Sequence, residues 1–371
     1  MRVAVIGVGG SGSAACYHLA RAGHEVVGFE QFSLDHDRGS SHGASRVIRL
    51  SYLDGFYTSL MANARPLWDL VEHEFGHELI QRCGHLMISP EDNDDVSNMA
   101  TSLDAIGASY IPLTANEVAE RYGSLRLAHG EHALLQPDGG FLRASRCVQA
   151  HATLARNRGA TILTGRKVTA ISETADAVVV HSDEVQHLFD RAIVTAGPWL
   201  SSLLHDLPLD LTVTRQELVY FAVEDERPYS PAHAPVWGHS VSNWYGFPVD
   251  GDVPGIKIAH HVLADQTDPD HVRAGLSDQT RTLAWEEARL RHPGVINTVI
   301  LAKTCLYTNT TNEDFLLDRA PGHDRLWVVS GCSGHGFKFT TLLGKLAADL
   351  ATDQPVQQDL SRFSFENFAR P

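Results

Sequence analysis

Residues 3–12, Val-Ala-Val-Ile-Gly-Val-Gly-Gly-Ser-Gly, run from an apolar strand straight into a glycine loop that fits G-x-G-x-x-G at Gly7, Gly9 and Gly12, with Gly10 inside it. Ser13 to Ala22 then reads as a helix, and Glu25 to Glu30 as a second strand ending on a carboxylate 23 residues after Gly7. Each part has a physical task. Gly7 permits a tight turn, Gly9 lets the backbone approach a pyrophosphate, Gly12 lets helix and strand pack closely, and the helix N-terminus offers free N–H groups to an anion. Glu30 is placed to accept a hydrogen bond from a ribose hydroxyl. The unit predicts a dinucleotide site on a parallel sheet.

At 371 residues the chain exceeds one ordinary core, which predicts two lobes. A net charge of −15 without a long basic run argues against nucleic acid or an anionic membrane as partner, and favours a small ligand. No run of about 18 apolar residues or signal-peptide pattern is visible, so a cytoplasmic protein is expected. The five cysteines, Cys16, Cys83, Cys147, Cys305 and Cys332, are scattered and suggest neither a disulfide framework nor a zinc site. The 21 histidines show no metal-binding spacing, and no metal is expected.

Beyond Glu30, the polar stretch Ser33–Ser45 reads as a loop near the nucleotide, and Tyr57–Glu74 as a long amphipathic helix. Gly84–Pro90 reads as a strand, Val96–Ile106 and Ala115–Tyr122 as short helices, and residues 134–143 as a turn-rich crossing. A helix is expected over Ala144–Asn157. Strands are expected over Ala160–Leu163, Lys167–Ile171, Ala177–His181 and Asp190–Ala196, the last running into Gly197. Leu211–Val223, Trp244–Pro248, Ile256–His261 and Val299–Leu306 are strand-like, with a helix over Ser277–Arg291, so the second lobe is β-rich. Leu326–Gly331 and the helix Lys338–Ala351 return to the first lobe. A nucleotide lobe revisited at the C-terminus favours a cofactor long enough to reach a second lobe, which is FAD rather than NAD.

Three blocks then carry a family resemblance: Gly39-Ser-Ser-His-Gly-Ala-Ser-Arg-Val-Ile-Arg49, Ala302-Lys-Thr-Cys-Leu-Tyr-Thr308 and Ser333-Gly-His-Gly-Phe-Lys-Phe339. With Asp138–Arg143, Thr195–Trp199, Asn312–Phe315 and Ala320–Asp324 in the same order and spacing, the chain resembles the monomeric sarcosine oxidase and N-methyltryptophan oxidase family. That resemblance implies an α/β fold: a Rossmann-like FAD lobe of glutathione-reductase type (residues 1–80, 140–210 and 306–371) interleaved with a β-rich substrate lobe (81–139 and 211–305). It implies oxidation of a secondary amino acid by O2, with peroxide and an imine as products, by a monomer. The rival substrate is a cyclic imino acid, and the rival class a nicotinamide-dependent dehydrogenase.

The resemblance also implies roles for single residues. Cys305 would form an 8α-thioether to the flavin; taken alone, it would be a buried small hydrophobe. Arg49 and Lys338 would hold the substrate carboxylate, an arrangement in which a guanidinium grips with two hydrogen bonds and an ammonium adds a point charge. Lys257, on an otherwise apolar strand, would stand beside flavin N5 and stabilise superoxide electrostatically. His261, Tyr245 and Tyr307 would wall the substrate pocket. Arg46, His42, Ser40, Ser45, Val168, Gly197, Gly334, Gly336 and Lys338 would contribute to the flavin site. Two departures stand out: Ser41–Arg46 replaces the family's His-His-Gly-Asp-Thr-Arg, and Leu50-Ser-Tyr-Leu-Asp54 replaces its His-Ala-Tyr-Gly-Glu, beside the substrate entrance.

Overall fold

In the computed structural model, which describes residues 1–34, 36–262 and 264–368, the glycine-loop strand lies inside a six-stranded sheet. Its order is Leu316–Arg319, Leu326–Ser330, Arg191–Val194, Arg2–Ile6, Glu25–Glu30 and Thr161–Thr164, parallel except at the Leu316–Arg319 edge. Alternation along Arg2–Ile6 sets the layers. Val3 and Val5 pack toward the helices Gly10–Arg21, Ala144–Arg156 and Thr340–Ala351. Ala4 and Ile6 pack the other way, against Val168, Val178, Val180 and Phe189 of a three-stranded antiparallel sheet.

The second large sheet has eight strands, in the order Val295–Asn309, Thr212–Val223, Ile256–His260, Trp244–Phe247, Val236–His239, His85–Pro90, Glu131–Gln136 and Ile111–Thr114. Only the Val236–His239 and His85–Pro90 pairing is parallel among the described strands of this sheet. Period-2 alternation decides what each strand presents. Ile256 and Ile258 join Val219 and Phe221 in a core with Ala284 and Ala288 of the helix Asp278–Arg291. Lys257 and Ala259 must therefore face the opposite side, which is the side of the site. A small fourth sheet pairs Arg46–Ile48 and Ile80–Arg82 with Gly140–Leu142.

Several expectations are corrected. The first helix starts at Gly10 rather than Ser13, because the loop glycines themselves open the first turn. Residues 134–143 are the end of the strand Glu131–Gln136, a three-residue turn and the strand Gly140–Leu142; Pro137-Asp-Gly makes that turn between two different sheets. The strand expected at Val299–Leu306 runs from Val295 to Asn309, past the expected lobe boundary at 306. Lys338 lies in a 3₁₀ turn, Phe337–Phe339, ahead of the last helix, which begins at Thr340. The short strands Val185–Phe189, Val236–His239 and Leu316–Arg319 carry too few residues for their pattern to stand out.

Candidate active site

The glycine loop behaves as its chemistry requires. Gly7 has φ +89°, and a Cβ there would lie 2.6 Å from the Thr195 carbonyl oxygen. A Cβ on Gly12 would lie 1.9 Å from the Gly7 carbonyl oxygen, so only glycine lets helix and strand close. Gly9 meets only the Ser41 side chain, at 3.2 Å. The N-cap Gly9 has no side chain and no acid occupies the first turn of Gly10–Arg21; the Gly10 N–H donates to the Ser41 hydroxyl at 3.0 Å, and the rest of the helix end is left to bind an anion.

A cavity of about 490 Å³ runs from this loop past Glu30, Ser40, Val168 and Gly197 to Tyr307, Gly334 and Gly336. A second cavity, also of about 490 Å³, contains Arg49, Tyr245, Lys257, His261, Cys305 and Lys338. Arg46, Tyr307, Gly334 and Phe337 line both, so the cavities abut. Such a paired cavity, phosphate-ready at one end and cationic at the other, fits an extended dinucleotide whose ring end sits at the junction. FAD fits these residues: the glycine loop for the pyrophosphate, Arg46 and Cys305 for the ring end.

Glu30 departs from its expected role in one respect. Its Oε2 accepts from the Val8 N–H at 2.9 Å and its Oε1 from the Phe32 N–H at 3.0 Å, so it braces the loop as well as lining the cavity. His42 is buried yet lines neither cavity, and neither ring nitrogen has a hydrogen-bond partner among the described residues. Burial and the Arg46 charge press its pKa down to about 3, so it stands as a neutral packing group. Gly12 also stays outside the cavity lining, as its packing task dictates. The Ser40 hydroxyl donates to the Leu306 carbonyl at 2.5 Å, tying the loop to the strand that carries Cys305 and Tyr307.

The cationic cavity is unusual in its charge balance. The Arg49 guanidinium lies 4.2 Å over the Tyr52 ring and donates to the Ser51 carbonyl. Lys338 Nζ donates to the Tyr52 hydroxyl and to the His335 carbonyl, both at 2.8 Å. Both cations thus converge on Tyr52, and every acceptor they use is uncharged. Burial, and then the Arg49 charge, pushes Lys338 well below the ordinary lysine value; burial also lowers Arg49. Two cations held side by side without a carboxylate are costly, and a bound anion would relieve that cost.

Around this pair, His261 Nδ1 lies 3.5 Å from the Tyr307 hydroxyl, and burial with the Lys338 and Arg49 charges lowers its pKa to about 4. It is a neutral imidazole near pH 7. Burial pushes Tyr245 up to about 12 and Tyr307 well above its ordinary value, so both keep their hydroxyl protons. Lys257 Nζ donates to the Ser45 carbonyl at 2.9 Å and hydroxyl at 2.5 Å, and sits 3.6 Å over the Phe247 ring. Burial and the Arg46 charge push Lys257 well below its usual value, opposed by Asp250 and Cys305. Burial raises the Cys305 thiol, while Arg46 and Lys257 favour its thiolate.

Sequence reasoning missed Tyr52 as the platform between the two cations, and His85 and His335, which also line this cavity. The first was visible as an aromatic three residues after Arg49; the histidines lay hidden among 21. Among the described residues, no helix is long and apolar enough to cross a membrane, and no group of three or more His, Cys, Asp or Glu could hold a metal ion.

Sheet order, glycine loop and paired cavity define a flavin-dependent oxidoreductase. Residues 2–350 match the family described as FAD dependent oxidoreductase (DAO), and the chain belongs to that family. It is 33% identical to the monomeric sarcosine oxidase of Streptomyces avermitilis, across 94% of this chain and 93% of that one. It is 31% identical to the N-methyl-L-tryptophan oxidase of Escherichia coli O157:H7, across 98% of each. NikD, an unusual amino acid oxidase essential for nikkomycin biosynthesis, superposes in its open form with a TM-score of 0.85 at 26% identity, covering 98% of this chain and 96% of that one.

Proposed function

We propose that this chain is an FAD-dependent oxidase of a secondary, N-methyl amino acid. The observation that carries it is the buried pair Arg49 and Lys338, both bonded only to neutral oxygens and both facing the cavity that adjoins the nucleotide site. A substrate carboxylate supplies the missing negative charge, and its two oxygens suit a guanidinium fork beside an ammonium. Binding there fixes the amine end of the substrate within the same cavity as Tyr245, Tyr307, His261 and Lys257. FAD, when bound, would supply the two-electron chemistry: acceptance of a hydride equivalent from the carbon next to nitrogen and its return to O2, which becomes hydrogen peroxide.

The residues do the rest by position and charge. Neutral His261 and the protonated tyrosines add no negative charge beside the amine, and the cavity carboxylates Asp54 and Asp314 are paired with Arg362, which favours the uncharged amine needed for oxidation. Lys257 offers a fixed cation where negative charge grows on oxygen. Cys305, close enough to Arg46 and Lys257 to feel both charges, is the residue we assign to a thioether tether on the ring's 8α carbon. We read the protein as a cytoplasmic monomer, the monomer on the strength of its 33% identity to a monomeric sarcosine oxidase.

A peroxide assay against N-methyl and cyclic amino acids, each with its methyl ester, tests the reading. Turnover of N-methyl acids with the esters inactive is expected. Equal turnover of ester and acid would overturn the carboxylate clamp, and preference for proline or pipecolate would replace the substrate class.

A further inference from the structure

Asp250 is 1% exposed, follows the strand that carries Tyr245 and Phe247, and its two carboxylate oxygens do different things. Oδ1 accepts from the N–H groups of Asp252 and Val253, both at 3.2 Å, which closes the turn leading toward the Lys257 strand. Oδ2 is turned away from that local task. It accepts from the Tyr220 hydroxyl at 2.8 Å and from the Ser45 hydroxyl at 3.1 Å. Ser45 in turn accepts from Lys257 Nζ at 2.5 Å.

The direction of this chain is forced by proton counting. Ser45 has one hydroxyl proton, and the ammonium can only donate, so the serine proton must point at Asp250 and its lone pairs at Lys257. A carboxylate at the end of the relay stabilises that polarity; a donor there would reverse it. Register ties the parts together, since Lys257 pairs with Tyr220 on one side and Phe247 on the other within the eight-stranded sheet. The charged and titratable groups facing Lys257 are Arg46 at the junction of the cavities, Cys305 two strands away in the same sheet, and Asp250, with Tyr220 behind it. Arg46 opposes a buried ammonium. Asp250 is the carboxylate that counters it.

We propose that Asp250 is a positioning residue for Lys257: through the Ser45 hydroxyl, and braced by Tyr220, it keeps the Lys257 side chain a cation aimed into the active-site cavity. This rests on the reading of Lys257 as the cation that serves oxygen. The relay works without touching substrate or flavin, and removing its acid end leaves Lys257 facing Arg46 uncompensated.

The chain has five lysines, Lys167, Lys257, Lys303, Lys338 and Lys345, so NMR of holoenzyme labelled with ¹³C at the lysine ε-carbon can follow Lys257 directly, its signal assigned by its loss in Lys257→Met. In Asp250→Asn the turn-closing Oδ1 is retained while an amide replaces the acceptor facing Ser45. Its Lys257 titration midpoint is expected to fall by at least about one pH unit, a tenfold change in protonation. Ser45→Ala should lower it in the same sense, and Ser45→Thr, which restores the hydroxyl, should keep the wild-type midpoint. Midpoints unchanged in both Asp250→Asn and Ser45→Ala would overturn the proposal; if Asp250→Asn does not fold, Ser45→Ala alone decides it. Stopped-flow reoxidation of the same variants by O2 separates the two readings. A lowered midpoint with reoxidation unchanged above it leaves Asp250 in its role and removes Lys257 from oxygen chemistry.

Discussion

Single side chains in this molecule are decided by whether their charge has a partner. Arg49 and Lys338 share Tyr52 and lack a carboxylate, so each is expected to contribute most when substrate is bound. Replacing either with alanine removes a charge-assisted hydrogen bond worth about 1.5 to 3 kcal/mol, or roughly 10 to 150-fold in kcat/KM. The fold should survive, because the loss relieves a buried like-charge pair; circular dichroism and flavin content check that. Full activity in Arg49→Ala would show that the clamp is elsewhere. Lys257→Met keeps length and apolar bulk but deletes charge, so flavin reoxidation should slow by roughly 10² to 10³-fold while anaerobic reduction by substrate suffers less. The reverse pattern in stopped-flow absorbance would place Lys257 with the amine. For Cys305→Ala the expected sign is loss of colour from the acid-precipitated pellet, where the wild type should retain it; wild-type colour moving wholly into the supernatant would remove the tether.

At the scale of elements, the site is held by close approaches that small residues allow. The first and last helices pack through Gly344, where a Cβ would come 2.5 Å from the Ala14 Cβ and 2.6 Å from the Ala15 nitrogen. Gly344→Val should force these helices apart at a cost of about 1 to 3 kcal/mol, lowering the unfolding midpoint in urea and weakening cofactor retention together. An unchanged midpoint would mean the helices can shift without strain. This packing also explains what was legible beforehand. Glycine spacing and the terminal acid exposed the first strand, helix and second strand because each residue there has one conformational or steric task, and Glu25–Glu30 runs as expected. Long amphipathic segments such as Gly55–Phe75 and Ala144–Arg156 were equally readable, since burial follows their period. Residues 134–143 were not, because Gly140–Leu142 is buried on both sides and pairs with strands about 60 and 90 residues upstream, which no local pattern reveals. In the site, most of the motif residues line the two cavities, whereas the Asp250–Tyr220–Ser45 relay was invisible because three segments must fold before it exists.

The whole molecule carries an acid sensitivity that follows from where its histidines went. Burial lowers His261 and His292 to about 4 and His42, His151 and His335 to about 3. For a base whose folded value is depressed, the unfolded chain binds the proton first, near pH 6.5, while the folded chain resists until about 4 or 3. Between those limits the unfolded state holds more protons, so stability must fall as pH falls from about 6.5 toward 3, and it is flat above about 7 from these groups. Carboxylates act in a lower window. Glu131, which Arg291 and His239 hold well below its usual value, loses its contribution only as pH drops below its unfolded value near 4.5. The two causes therefore separate on the pH axis. Urea unfolding midpoints measured at steps from pH 7.5 to 5 should decline while the carboxylates are still mostly ionised, and the decline should shrink in His151→Asn, a buried histidine outside both cavities. A midpoint constant from pH 7.5 to 5, followed by a drop below 4.5, would assign the acid sensitivity to the carboxylates and mean that water or rearrangement relieves the buried imidazoles.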